Sequence, residues 1–280
     1  DTPVIQDLKN YITNFPQAGY EITSDMKKAE IIVLASHFKN EPLLTKKFIE
    51  YLKQDKIIID STRFYEQLFA RTPLSDLNET WFFENFVHRS KFHFFVKRVF
   101  DLVSAIILFI IFLPVMLIIA ILIKLDSDGP VIYQQIRVGK NGKEFVLYKF
   151  RTMIKDAEKF GIKRNNLDDT RVTKIGKILR KTHLDELPQL VNIIKGDLSF
   201  VGPRPERPVF VNEYNYSVPF YSIRHIIKPG LTGWAQINYP HGLTLQDAYQ
   251  KLEYDIFYIK NQSFIFDLLI ILKTINHFFS

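Results

Sequence analysis

The pattern of apolar and polar positions sets one stretch of the chain apart from the rest. Residues 102–123 are apolar throughout except for Ser104, and Pro114 stands near the middle of the run. At roughly 1.5 Å per residue, a helix of about 22 residues is about 33 Å long, which is enough to cross a bilayer. The preference of these side chains for lipid outweighs one internal proline, which costs about 3 kcal/mol. The run therefore predicts a helix that inserts into a membrane.

The way in which this helix inserts is open on these residues alone. Pro114 removes one intrahelical hydrogen bond and divides the run into halves that each reach only the middle of a bilayer. A spanning helix usually has more Lys and Arg on one side than on the other. Here both flanks are basic, with Arg89, Lys91, Lys97 and Arg98 before the run and Lys124, Arg137, Lys140 and Lys143 after it. A helix that dips in and returns and a kinked span both agree with this pattern.

Residues 1–80 show the pattern of a small α/β domain. The apolar runs at 31–36 and 57–60 are typical of buried strands, and Ser61 is expected to cap a helix that ends near Phe69. Apolar residues at helical spacing between the two runs predict a crossover helix; they are Leu43, Leu44, Phe48, Ile49 and Leu52. Because neither a G-x-G-x-x-G motif nor a P-loop is present, we expect a structural or regulatory accessory domain.

Two further segments have membrane-like composition. Residues 81–96 mix aromatic and basic side chains next to the apolar run, which favours a linker at the lipid headgroups over a surface that stacks nucleic-acid bases. Residues 264–279 are apolar but too short to span a bilayer. They predict either an interfacial amphipathic helix or a buried core helix.

Charge and cysteine content limit the chemistry. The formal net charge of +7 favours anionic partners such as lipid headgroups, phosphates or nucleic acid. The chain has no cysteine, which excludes disulfides, thiol nucleophiles and Cys-ligated zinc. Past the apolar run, residues 131–139 and 143–153 read as two strands joined by Lys140-Asn141-Gly142. Lys149 and Arg151 then share one strand face, either as ligand-binding cations or as a solvated surface.

Residues that could carry chemistry concentrate between 174 and 205. Apolar spacing predicts two helices there, and Pro188 is tolerated only in the first turn of the second, so Asp185 and Glu186 fall near its N-terminus. Arg180, Lys181 and Arg204 are close in sequence, and helix N-termini and arginines both bind phosphate. From these residues alone, Asp185 is either a helix N-cap or a reactive carboxylate. Vicinal carboxylates among cations favour a site for phosphate with a divalent metal.

Seven motifs in this order carry a resemblance to a known family. They are KRVFD at 97–101, GPVIYQQIRVG at 129–139, YKFRTM at 148–153, LDELPQL at 184–190, KGDLSFVGPRP at 195–205, KPGLTGWAQ at 228–236 and EYDIFYIKN at 253–261. Together they cover nearly all of residues 97–275. Over this range the chain resembles the monotopic phosphoglycosyl transferases of the bacterial sugar transferase family.

The resemblance implies a reaction and roles for several residues. Such enzymes move a sugar-1-phosphate from a nucleoside-diphosphate sugar, usually a UDP-sugar, to undecaprenyl phosphate and release the nucleoside monophosphate. By matching position, Asp185 is the implied nucleophile and Glu186 the residue associated with Mg²⁺. Lys149, Arg151, Arg180 and Arg204 are the candidates to hold phosphates.

The family's membrane element is a re-entrant helix whose two ends are both cytoplasmic, which implies the cytoplasmic face of the bacterial inner membrane. Some members have Ser-Pro at the helix break, whereas this chain has Leu113-Pro114. We also expect Asp255 to pair with Lys97 or Arg98 at the base of the helix. His183, a lone histidine beside the carboxylates, is more often structural than catalytic.

The expected fold is α/β in four parts. They are an accessory domain at 1–80, an interface linker at 81–96, a re-entrant membrane helix at 97–125 and a mixed α/β catalytic domain with interfacial amphipathic helices at 126–280. The expected partners are undecaprenyl phosphate, a nucleoside-diphosphate sugar and membrane lipids; a homo-oligomer is allowed, and nucleic acid is not expected. Two alternatives are a catalytically silent membrane scaffold and a phosphate- or nucleic-acid-binding regulator. Paired carboxylates, which repel a polyanion, count against the regulator.

Overall fold

The computed structural model describes residues 2–35, 49–86, 91–155, 157, 169–240, 242 and 244–279 of the chain. Its contacts divide the chain into two compact units, residues 1–88 and residues 89–280. The elements of the first unit are helix α1 (Pro3–Asn14), strand β1 (Ile31–Leu34), strand β2 (Ile57–Asp60), helix α2 (Ser61–Phe69) and helix α3 (Glu79–Phe86).

The first unit contains the predicted parallel pair of strands, in which Ile31 pairs with Ile57. Helices α1 and α2 supply its core, built on Val4, Leu8, Phe64 and Tyr65. The predicted cap is displaced by one residue, since the Asp60 carboxylate accepts from the Thr62 and Arg63 N–H groups at 3.0 and 3.3 Å, so that Ser61 is the first helical residue. In the predicted crossover, residues 49–52 are helical, while Leu43, Leu44 and Phe48 lie outside the described residues.

The second unit mixes helices with short strands. Its elements are α4 (Lys91–Asp126), β3 (Ile132–Val138), β4 (Glu144–Phe150), α5 (Lys174–Lys181), α6 (Gln189–Lys195), β5 (Ser199–Val201), α7 (Pro208–Ser217), β6 (Gly230–Thr232), α8 (Trp234–Asn238), α9 (Leu245–Asn261) and α10 (Phe264–Phe279). The predicted hairpin is confirmed: β3 and β4 pair antiparallel, with Ile132 opposite Phe150. Asn141 and Gly142 turn the chain between them with φ of 58° and 73°, a conformation that asparagine and glycine tolerate best. Strands β5 and β6 pair in parallel.

Helix α4 is the long apolar helix that the sequence predicts. It has 36 residues and begins six residues before the predicted start at 97. The helix continues through Pro114, so the predicted break is not an interruption of helical structure; the missing N–H leaves one carbonyl of the preceding turn without its helical partner. Mean hydropathy reaches 3.5 within residues 92–126, and only 11% of the most apolar window is buried. Helix α4 is therefore long and apolar enough to cross a membrane, and most of its surface faces outward.

One stripe of α4 packs on the rest of the second unit along the length of the helix. Ala105 is fully buried against Leu190, Ile193 and Leu198, near one end. Ile119 and Ile123 pack on Phe150 and Leu179, near the other end. The remaining faces are apolar and exposed, for example at Ile110 (65%) and Ile121 (61%). Both ends of α4 thus rest on the same compact body.

Polar anchors fix the first turns of α4. The Lys97 ammonium lies 2.6 Å from the Asp267 carboxylate of α10, and both side chains are buried. The Arg98 guanidinium donates to the Ile193 and Ile194 carbonyls at 2.6 and 2.7 Å, at the C-terminus of α6. The expected pairing of Asp255 with Lys97 or Arg98 is therefore wrong, because each of these cations is bound elsewhere. Asp255 lies 2.9 Å from Arg224 instead.

A second set of polar anchors holds the other end of α4. The Asp126 carboxylate accepts from the Ile175 N–H of α5 at 3.0 Å. The Arg151 guanidinium donates to the Ser127 and Asp128 carbonyls at 2.6 and 2.8 Å, just after the helix ends. A cation at a helix C-terminus satisfies exposed carbonyls and opposes the negative end of the helix dipole. Arg151 therefore joins β4 to α4.

Helix α10 is not the buried core helix that the sequence left open. It buries Asp267 and Ile270, while Ile265 is 79% and Leu272 63% exposed. The exposed apolar residues lie on one side of a helix of 16 residues. Such a helix has the character of an interfacial helix.

Asn192 ties α6 to the free edge of β4. Its side chain is fully buried; the amide donates to the Val146 carbonyl at 2.6 Å, and the amide oxygen accepts from the Tyr148 N–H at 3.0 Å. The side chain thus replaces a neighbouring strand. It fixes the distance between β4, which carries Lys149, and the helix that follows Glu186.

We predict that Asn192→Ala lowers the free energy of unfolding by at least about 2 kcal/mol, because two buried backbone groups lose their partners. Exposed Asn215, on α7, is the matched control, and Asn215→Ala should change stability by less than about 0.5 kcal/mol. Chemical unfolding of both variants in detergent micelles measures the difference. Equal stabilities would show that the Asn192 bonds contribute nothing.

Candidate active site

The two adjacent carboxylates lie in a sharp turn between α5 and α6. His183 takes the left-handed conformation (φ 55°), and residues 184–186 form one turn of 3₁₀ helix before Pro188 leads into α6. With about three residues per turn, neighbouring side chains of a 3₁₀ helix point in directions about 120° apart. Asp185 and Glu186 therefore enter different surroundings although they are consecutive.

Glu186 binds two cations with one oxygen atom. Its Oε1 accepts from the Lys149 ammonium of β4 at 2.7 Å and from the Arg204 guanidinium, beyond β5, at 3.1 Å. Burial by itself raises the pKa of Glu186, but Lys149 and Arg204 outweigh it and hold that pKa well below its usual range. The structure thus brings together three of the predicted site residues as an ion triad of one anion and two cations.

Asp185 is placed differently. Its side chain is buried, with 9% exposed, and it makes no hydrogen bond or ion pair within the described part of the chain. Burial raises the pKa of Asp185, opposed chiefly by Lys149, and the Glu186 charge raises it further. Of the two alternatives for Asp185, the helix N-cap is wrong: the Asp185 carboxylate accepts no backbone N–H among the described residues, and His183 precedes the turn. Asp185 is thus a largely desolvated carboxylate for which the described residues supply no hydrogen-bond partner.

Arg180 lies beside the carboxylates at the end of α5. Its Nε donates to the Thr152 hydroxyl at 2.9 Å. Burial lowers the pKa of Arg180, and the Asp185 charge, first among the opposing effects, raises it. A guanidinium has five N–H donors. Within the described residues only Nε is engaged, which leaves the terminal nitrogens for an anion.

Arg151 does not join this group. Its terminal nitrogens are engaged with the carbonyls that follow α4, so the structure gives it a role at the end of the membrane helix. Alternation along a strand would place Lys149 and Arg151 on one face. Strand β4 ends at Phe150, however, so this alternation does not extend to Arg151.

The buried ion pair of Arg224 and Asp255 contacts the backbone of Arg204. Arg224 donates to the Arg204 carbonyl at 2.9 Å and lies 2.9 Å from Asp255, and its guanidinium also donates to the Tyr221 hydroxyl. Arg224 and Asp255 are both almost fully buried. No local sequence pattern marks Arg224, and its partners lie on different elements. Its support of the Arg204 loop was therefore not predicted. The pair holds the loop that presents Arg204 to Glu186.

The carboxylates fit a Mg²⁺ ion only if a substrate helps to hold it. No group of three or more His, Asp or Glu side chains with metal-site spacing occurs among residues that the structure describes. Glu186 Oε1 is taken by two cations, which leaves its second oxygen and the Asp185 carboxylate. Mg²⁺ is commonly bound by one or two carboxylates together with phosphate oxygens of a substrate. The donor set therefore fits a shared ion and not a site built from protein alone.

Comparison with known proteins shows that residues 92–280 match one family model, described as bacterial sugar transferase. A UDP-N-acetylgalactosamine-undecaprenyl-phosphate N-acetylgalactosaminephosphotransferase of Aeromonas hydrophila is 46% identical over 186 residues, 66% of this chain and 44% of that protein. A UDP-glucose:undecaprenyl-phosphate glucose-1-phosphate transferase of Escherichia coli is 41% identical over 183 residues, 64% of this chain and 39% of that protein.

A shorter relative matches more of its own length. It is a putative undecaprenyl-phosphate N-acetylgalactosaminyl 1-phosphate transferase of Bacillus subtilis, 50% identical over 129 residues, 46% of this chain and 72% of that protein. The chain spans less than half of the Aeromonas and Escherichia relatives. The similarity includes the whole ion triad and α4, since the family model begins at residue 92.

We predict that Glu186→Gln lowers the free energy of unfolding by about 2 kcal/mol at neutral pH, because two cations lose the partly buried anion that they share. The folded-state pKa of Glu186 lies below the unfolded value near 4.5, so its contribution is full above that value and is lost as the pH falls through the folded pKa. The difference between wild type and variant should therefore be constant above about pH 5.5 and narrow below about 4.5.

Unfolding curves between pH 3 and 8 test this expectation. Glu213→Gln, at an exposed position of α7, is the matched control and should leave the curve unchanged. A difference between wild type and Glu186→Gln that stays constant into acid would contradict the ion triad.

Proposed function

Because the chain belongs to the bacterial sugar transferase family, we propose that it transfers a sugar-1-phosphate from a nucleoside-diphosphate sugar to undecaprenyl phosphate and releases the nucleoside monophosphate. UDP is the expected nucleotide, since the names of the Aeromonas and Escherichia relatives specify UDP-sugars and undecaprenyl phosphate. The observation that carries the proposal is a buried Asp185 without a partner among described residues, beside a Glu186 that two cations neutralise.

The reaction proceeds in two displacements. A carboxylate oxygen of Asp185 attacks the sugar-linked phosphorus, and the bond from that phosphorus to the bridging oxygen breaks, so that the nucleoside monophosphate leaves with the electron pair. A phosphate oxygen of undecaprenyl phosphate then attacks the same phosphorus. The Asp185–phosphorus bond breaks, and the carboxylate is restored.

An anionic nucleophile reaches an anionic diphosphate only where positive charge offsets their repulsion. Glu186 holds Lys149 and Arg204 beside Asp185. The terminal nitrogens of Arg180, which bind no described residue, can receive phosphate oxygens. Burial of Asp185 removes the water that would otherwise stabilise the carboxylate and weaken its attack. Mg²⁺, when bound with Glu186 and the diphosphate, supplies further neutralisation of negative charge.

The seat of α4 supports a re-entrant topology. A helix that crosses a bilayer places its two ends on opposite sides of about 30 Å of hydrocarbon. Here Lys97 and Arg98 near one end and Asp126 at the other bind the same compact body. Both ends then lie on one side of the membrane, which we assign to the cytoplasmic face of the bacterial inner membrane. The exposed apolar side of α10 lies in the same lipid interface.

A catalytically silent scaffold is the second reading. It would use α4 and α10 for membrane attachment. It has no use for a buried carboxylate that finds no partner in the described part of the chain and therefore costs folding free energy. Relatives with 41–46% identity are named as transferases. The enzyme is therefore the better-supported reading.

We predict that wild-type protein mixed with the donor alone gains the mass of one sugar-phosphate, whereas Asp185→Asn gains none. The amide cannot attack phosphorus, and turnover of the variant should fall by several orders of magnitude while its melting temperature changes little, because no described contact of Asp185 is lost. Intact-protein mass spectrometry measures the adduct. Asp197→Asn is the control on the same segment and should still form it. Similar turnover of wild type and Asp185→Asn would refute the mechanism.

Topology is tested with single cysteines in this cysteine-free chain. Glu84 and Lys124 are exposed; Glu84 precedes α4 in the sequence, and Lys124 lies in the last turn of α4. A re-entrant helix predicts that Glu84→Cys and Lys124→Cys are both protected from an impermeant thiol reagent in intact cells and both labelled after permeabilisation. Labelling of only one position in intact cells would demonstrate a spanning helix.

A further inference from the structure

Among the described residues, strand β5 is paired along one edge only. It is only three residues long, and its Ser199 and Val201 pair with Gly230 and Thr232 of β6. Alternate residues of a strand point their backbone groups to opposite edges, so the Phe200 N–H faces away from β6. A short strand with one free edge needs other partners to hold its position.

The membrane helix supplies one of these partners. Asp101, 3% exposed on α4, accepts from the Phe200 N–H with its Oδ1 at 3.2 Å. Asp101 follows Lys97 by one helical turn, so it lies on the side of α4 that is anchored to the catalytic unit. The free edge of β5 is thus bound by the base of the membrane helix.

A tyrosine holds the end of the same strand. The fully buried Tyr258 hydroxyl lies 3.2 Å from the Val201 carbonyl and 2.6 Å from the Asp267 carboxylate, to which it donates. Asp267 also binds Lys97 at 2.6 Å. The turn of α4 that carries Lys97 and Asp101 is therefore connected to β5 in two ways. Asp101 binds the strand directly, and Lys97 is connected to it through Asp267 and Tyr258.

Strand β5 ends three residues before Arg204, whose guanidinium binds Glu186 at 3.1 Å. A shift of the strand moves the backbone that carries Arg204. We propose that Asp101 is a positioning residue of the transferase: it fixes β5 so that Arg204 meets the carboxylates, and it makes the active site depend on the seating of the membrane helix. The inference rests on the proposed function, and it assigns Asp101 no contact with substrate.

The test compares variants of the full chain in mixed micelles with undecaprenyl phosphate, Mg²⁺ and a panel of UDP-sugars. Asp101→Ala should lower kcat about 10- to 100-fold, because misplacement of a charge-stabilising group by about 1 Å has that effect. Asp101→Asn keeps an oxygen that accepts the Phe200 N–H and should stay within about 5-fold of wild type. The KM for the donor should change less than kcat.

Thr274→Val is the matched structural control. It removes a partly buried hydroxyl contact of 2.7 Å to Thr232 of β6 and leaves the contacts of Asp101 and Tyr258 with β5 in place. It should lower stability without lowering kcat per folded molecule. If Asp101→Ala does not fold, Tyr258→Phe replaces it, since that variant removes only the hydroxyl at the end of β5 and should lower kcat in the same way.

A double-mutant cycle decides whether the effect passes through Arg204. Asp101→Ala should have no further effect on kcat in an Arg204→Ala background, because the group that it positions is absent. Fully additive effects, or a wild-type kcat per folded molecule in Asp101→Ala, would overturn the inference and leave the transferase intact. Failure of the wild type to release nucleoside monophosphate from every donor would instead overturn the proposed function, and this inference with it.

Discussion

One carboxylate oxygen determines the arrangement of the catalytic unit. Glu186 Oε1 holds Lys149 from a β-hairpin and Arg204 from a loop more than fifty residues further along the chain. Taking charges even partly out of water costs free energy unless the anion lies against cations, as Glu186 does here. Every element that carries one of the three must therefore be fixed, and the contacts made by Asn192, Arg224 and Asp101 do this for α6, the Arg204 loop and β5. Because Glu186 takes both cations, Asp185 beside it stays without a partner among the described residues.

Helix α4 packs against the same unit that carries the ion triad. One stripe of α4 packs on the second unit in two clusters. Its ends are held by the Lys97–Asp267 ion pair, by Arg98 at the C-terminus of α6 and by Arg151 at the C-terminus of α4. The outward faces of α4 and the exposed side of α10 are apolar. Under the proposed function, these apolar faces would hold the site at the height of the lipid headgroups, where a polyprenyl phosphate presents its phosphate.

Local patterns were sufficient for several elements. The apolar run predicted α4, alternation and Asn-Gly predicted the β3–β4 hairpin, and vicinal carboxylates before Pro188 located the turn that carries Asp185 and Glu186. Long-range pairings were beyond these patterns. The sequence supplies several acids and bases of similar character, and only tertiary packing decides that Lys97 binds Asp267, 170 residues away, while Asp255 binds Arg224. Arg151 was predicted to hold phosphate because strand alternation places it on the face of Lys149. The alternation did not show that the strand ends before Arg151, whose side chain reaches the end of α4.

The stereochemical course at phosphorus distinguishes a covalent intermediate on Asp185 from direct transfer to the acceptor. A donor with a chiral, isotopically labelled sugar-linked phosphate is converted to the lipid diphosphate, and the configuration at that phosphorus is determined. Attack by Asp185 followed by attack of the acceptor involves two in-line displacements, each with inversion, so the account predicts overall retention. Overall inversion would mean a single direct displacement by undecaprenyl phosphate, and Asp185 would then not be the nucleophile.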